Sequence, residues 1–140
     1  MGQQQLLLLV LGIVIVGLAV VVGIQAFGEN QKKSNADALV NDVVRIASDA
    51  QAWNLKPAAF GGGAGAFTGL SFEQLGYVSD ASGVYQNLNG EFQLSGIAAG
   101  TVTITGCDEQ TTFDNLIVAS ITGTAPTDIA TTVSTAVCSF

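Results

Sequence analysis

Nineteen consecutive residues, 6–24, contain only Leu, Val, Ile, Gly and Ala. As a helix rising about 1.5 Å per residue, this run is about 28 Å long, close to the hydrocarbon thickness of a bilayer. It is apolar on every side, so a single small domain cannot cover it. Lipid or other copies of the run must do so.

Charge divides the 140-residue chain into three zones. No ionisable side chain precedes Glu29. Lys32, Lys33, Arg45 and Lys56 are then balanced by Glu29, Asp37, Asp42 and Asp49. Beyond Pro57 there is no cation, and Glu73, Asp80, Glu91, Asp108, Glu109, Asp114 and Asp128 supply the net charge of -7. Such a balance repels phosphate, so nucleic acid is not an expected partner. Lys32 and Lys33 follow the apolar run, which by the positive-inside rule puts the head inside, unless a basic leader has been removed. The two cysteines, Cys107 and Cys138, favour the second alternative. A pair in a small acidic domain suits an oxidising, extracytoplasmic compartment and a disulfide; two cytosolic thiols are the other reading.

Apolar residues at Ala36, Leu39, Val40, Val43, Val44, Ile46, Ala47, Ala50 and Trp53 form one helical stripe, with Asp42–Arg45 and Arg45–Asp49 spaced as charge pairs on the other side. No proline precedes Pro57, so one nearly continuous helix of about 75 Å is expected over residues 3 to about 53. Gly12, Gly17, Gly23 and Gly28 mark either a bend or local unwinding, or close helix packing through small residues. Phe60 and Phe67 are expected to pin the glycine-rich loop between them, and Ser71 to cap a short helical turn. That loop lacks phosphate-binding spacing.

The remainder reads as strands. Residues 84–88 and 91–95 flank Asn89-Gly90, a hairpin signal in which both turn positions take positive φ. Residues 101–105 alternate polar and apolar, residues 116–121 are β-rich, and residues 127–140 suit a strand or a short helix. Fourteen of the last forty residues are Ser or Thr. They suit solvent-facing strand positions, with O-linked sugar as the alternative. The fold class expected is therefore α+β: a long N-terminal helix on a small antiparallel sheet. Residues 1–28 form its apolar part, 29–56 its amphipathic half and 57–140 the acidic head.

Catalytic chemistry is scarce. Histidine is absent, the three lysines lie far from the Ser/Thr-rich tail, and no enzyme activity or cofactor is expected. Asp108, Glu109, Asp114 and Asn115 could gather around Ca²⁺, but without EF-hand spacing they read as a solvated acidic loop.

Gly2 followed by three glutamines and the run from Leu6, the amphipathic half ending at Trp53, and the cysteines in the head together resemble a type IV pilin. The resemblance implies that a prepilin peptidase cuts after a glycine, either between Gly2 and Gln3 or before Met1, and that the subunit waits in the inner membrane. It then joins a helical homopolymer at the cell surface. The core of that polymer would consist of Gln5, Leu6, Leu7, Leu8, Leu9, Val10, Leu11, Ile13, Val14, Ile15, Val16, Leu18, Val20, Val21, Val22 and Ile24. The fifth mature residue, a Glu in that family, is here Leu7 for a cut after Gly2, or Gln5 for a cut before Met1. With no carboxylate nearby, a buried N-terminal amine would rely on backbone carbonyls or on the amides of Gln3, Gln4 and Gln5. The expected role is that of a major pilin serving adhesion, motility or aggregation. A minor pseudopilin of a secretion or DNA-uptake machine and a single-span protein with a binding head are the alternatives.

Overall fold

The computed structural model describes residues 2–108, 113–137 and 140. One α-helix, α1, runs Gly2–Leu55. Five strands follow: β1 Val84–Gln86, β2 Glu91–Ser95, β3 Val102–Cys107, β4 Asn115–Ile121 and β5 Ile129–Thr135. They form one antiparallel sheet in sequence order, β1-β2-β3-β4-β5. The architecture is α+β, with the long helix packed on the sheet.

The chain divides into two compact units, Met1–Ser34 and Asn35–Phe140. α1 is helical through Gly12, Gly17, Gly23 and Gly28, so the unwinding considered for these positions does not occur. The reason is that glycine, unlike proline, keeps its backbone N–H. Each lowers helix propensity by about 1 kcal/mol yet leaves every hydrogen bond available.

In the second unit the helical stripe makes the core. Leu39, Val43, Ile46, Ala47, Ala50 and Trp53 are buried, and Val40 packs at their margin. Val44, expected in the stripe, is instead 39% exposed. It lies one position beyond Val43, a rotation of about 100° from the helix–sheet contact. The sheet meets this stripe with Phe92 of β2, Val102 and Ile104 of β3, and Ile117, Ala119 and Ile121 of β4, all fully buried. Alternate residues of β4 point away, as period 2 demands. Gly106 sits among them because a β-carbon there would lie 2.7 Å from Val43 Cγ2 and 2.9 Å from the Phe92 ring.

The connections depart from expectation in three places. The hairpin between β1 and β2 pairs Gln86 with Glu91, leaving a four-residue connection rather than a two-residue one. Neither Asn89 nor Gly90 has positive φ. Gly90 is required by crowding: a β-carbon would collide with the Cys107 carbonyl and approach Leu39 Cδ2 to 2.6 Å. Phe67 is buried and anchors the glycine-rich loop, but Phe60 is 73% exposed. Trp53 takes the second anchoring role, its Nε1–H donating to the Gly61 carbonyl at 2.9 Å and its own carbonyl accepting from Gly63 N–H at 2.9 Å. Residues 72–76 form the expected turn, but the Gln74 and Leu75 backbone N–H groups close it by donating to the Ser71 carbonyl, and the Ser71 side chain does not cap it. The C-terminal stretch contains both expected alternatives, a 3₁₀ turn at Pro126–Asp128 and then β5.

Candidate functional site

Among the described residues, 6–24 are the long stretch whose chemistry is at odds with its surroundings. All fifteen of its Leu, Val and Ile side chains are between 53% and 72% exposed. Elsewhere on the same helix, Leu39, Val43, Ile46 and Ala47 are at most 1% exposed. The segment is long and apolar enough to cross a membrane. Gln3, Gln4 and Gln5 are exposed in the turns before it, with Gly2 at the helix start.

Crowding within the chain does not require glycine at Gly12, Gly17 and Gly23 of this segment or at Gly28 just after it. A β-carbon at Gly12, Gly17, Gly23 or Gly28 would meet nothing within 4 Å. Alanine would raise helix propensity at each by about 1 kcal/mol without any clash. Small residues at such positions allow close approach by another helix.

The second unit supplies a polar seam between α1 and the strands. Asp42 accepts from Asn87 Nδ2 at 2.9 Å and Asn89 Nδ2 at 2.7 Å. Asn35 Nδ2 donates to the Asn89 carbonyl at 3.3 Å, and Asn115 Nδ2, on the buried face of β4, donates to Asn35 Oδ1 at 3.1 Å. Further along α1, Tyr77 Oη donates to Asp49 at 2.5 Å, and Gln51 Nε2 donates to the carbonyls of Gly123 and Ala125, both at 3.0 Å. Burial and the Asp49 carboxylate push the Tyr77 hydroxyl from 10.0 up to about 12, because both disfavour a phenolate. Asp42 therefore holds the β1–β2 connection and Asp49 holds Tyr77, whereas the sequence spacing matched both with Arg45. Local spacing could not reveal this, since their partners lie 28 to 47 residues away.

Cys107 is 2% exposed and disulfide-bonded. Its expected partner, Cys138, lies outside the described residues, as does Glu109 of the acidic loop. Asn115, considered with that loop as a calcium ligand, is buried and committed to Asn35. Among the described residues no group of His, Cys, Asp and Glu is arranged to hold a metal.

Comparison with protein-family models, curated proteins and solved structures finds no match to this chain. The functional reading rests on the residues and geometry above.

Proposed function

We propose that the chain is the major structural subunit of an extracellular, type IV pilus-like helical filament. Residues 6–24 sit in a membrane before assembly and form the filament core after it. The observation that carries this reading is the exposure of all fifteen large apolar side chains of that segment on a helix whose other half is packed on a domain. Water is a poor solvent for such a surface, and two environments satisfy it: lipid, or identical helices burying one another. Gly12, Gly17, Gly23 and Gly28, where a β-carbon would meet nothing within 4 Å, support the second, since they let neighbouring backbones come close. The acidic head remains hydrated and limits indiscriminate association.

The absence of ionisable side chains before Glu29 gives docking a particular character. Apolar packing brings the helices together, and the amides of Gln3, Gln4 and Gln5 satisfy a buried terminal amine. Electron microscopy of sheared surface material from cells producing the chain tests the reading. Long fibres composed mostly of this chain are expected. A chain found only in the membrane fraction, monomeric in detergent, would identify a single-span protein with a binding head. A few copies within fibres of another subunit would identify a minor pilin-like component.

A further inference from the structure

We propose that Asn89 is a deamidation site whose reactivity is gated by the contact between the β1–β2 hairpin and α1. The inference is independent of the filament reading. Of the seven asparagines, Asn89 alone is followed by glycine. That pairing makes succinimide formation easiest, because glycine has no β-carbon to obstruct its amide nitrogen.

The reaction begins when the Gly90 nitrogen attacks Asn89 Cγ. A new N–Cγ bond forms, the Cγ–Nδ2 bond breaks, and Nδ2 leaves as ammonia with the amide proton. Water then opens the five-membered imide. Cleavage of the new N–Cγ bond yields aspartate, and cleavage at the main-chain carbonyl yields isoaspartate, with the chain continuing through Cγ. No oxidant, metal or enzyme is needed.

In the folded head both reacting groups are engaged. The nucleophilic Gly90 N–H donates to Asn87 Oδ1 at 3.0 Å, and the leaving amide of Asn89 donates to Asp42 at 2.7 Å. The Asn89 N–H shares the same Asn87 oxygen at 2.8 Å, and its carbonyl accepts from Asn35 at 3.3 Å. The peptide unit and the side chain are thus held by separate partners, two of them on α1. Cyclisation requires Asn89 to turn its Cγ onto the Gly90 nitrogen, which breaks the bond to Asp42. The hairpin must open locally before the chemistry can run.

The consequence is irreversible. Aspartate at 89 would set a second carboxylate against Asp42 where a donor had been, and like charges at that distance repel. Isoaspartate would add a methylene to a backbone beside Gly90, which already has no room for a β-carbon against the Cys107 carbonyl. Either product weakens the hold of the hairpin on the helix. A transient opening of the head is thereby recorded as a permanent change.

The test incubates the full chain in mild detergent in mildly alkaline buffer. Isoaspartate and aspartate at 89 are measured by peptide mass mapping. The folded chain is expected to convert at least about tenfold more slowly than the same chain in denaturant. Asp42→Ala and Asn87→Ser, with near-ultraviolet circular dichroism reporting that the head is folded, should move the rate towards the denatured value. Asp42→Asn, which keeps an acceptor, should retain most of the protection. Equal rates for folded and denatured wild-type chain would overturn the proposal, and that comparison needs no variant. Wild-type rates in both folded Asp42→Ala and folded Asn87→Ser would also overturn it. Asn89→Asp, equivalent to one product, should lower Tm; an unchanged Tm would refute the claim that conversion loosens the hairpin.

Discussion

Replacing Ile15 by Asp introduces one carboxylate into the middle of the apolar run, and the expected loss follows from how much of Ile15 remains to be buried. The side chain is 57% exposed in the single chain. Complete burial of an isoleucine is worth about 1.5–3 kcal/mol, so covering the remaining half in a polymer contributes about 1–2 kcal/mol per subunit. Ile15→Ala forfeits part of this, about 1 kcal/mol, and should raise the critical concentration for assembly about fivefold. Ile15→Asp forfeits the same contact and also strands an ion without a partner, which costs about 3–5 kcal/mol more. The critical concentration should then rise about a thousandfold or beyond, which amounts to no polymer at ordinary expression levels. Pelleting across a range of total protein, with electron microscopy of the pellet, measures both variants. The head should be unaffected, because Ile15 lies in the unit Met1–Ser34 and the head's core begins at Leu39. Near-ultraviolet circular dichroism from Trp53 and the tyrosines checks this. Assembly of Ile15→Asp at the wild-type critical concentration would refute the burial of this segment. Equal losses for the Asp and Ala variants would refute the electrostatic part of the reasoning.

Gly90→Ala should destabilise the head by about 1–3 kcal/mol through overpacking against the Cys107 carbonyl and Leu39, read as a lower midpoint in denaturant. Gly12→Ala, which meets nothing within 4 Å, should leave that midpoint unchanged while reducing polymer yield. Tyr77 should titrate at about 12 by ultraviolet absorbance, and Asp49→Asn should bring it closer to 10.0. Because the folded state favours the protonated phenol, the stability this contributes is present below pH 10.0 and lost as pH rises through about 12; rising stability over that interval would contradict the geometry. Cys107→Ser should cost about 2–5 kcal/mol, measured as a fall in Tm, with intact mass under non-reducing conditions reporting the bond in the wild type.

Periodicity along the chain was sufficient to locate α1, its buried stripe and strands β3 and β4. Each of these patterns is local: a 3.6-residue repeat identifies Leu39, Val43, Ile46 and Ala50, and alternation identifies Val102 and Ile104. The exposure of residues 6–24 was equally legible, because a run apolar on all sides exceeds what one small sheet can cover. Tertiary structure decided what depends on residues distant in sequence. Asp42 and Asp49 matched Arg45 in spacing, yet Asn87, Asn89 and Tyr77 reach them once the hairpin and the turn before it fold back. Trp53 rather than Phe60 holds the glycine-rich loop because its indole N–H finds the Gly61 carbonyl, whereas Phe60 can offer no such bond. Asn89-Gly90 signals a turn in any sequence through its tolerance of positive φ. Here Gly90 is needed instead because β3 and the helix converge on its α-carbon, a crowding that exists only in three dimensions.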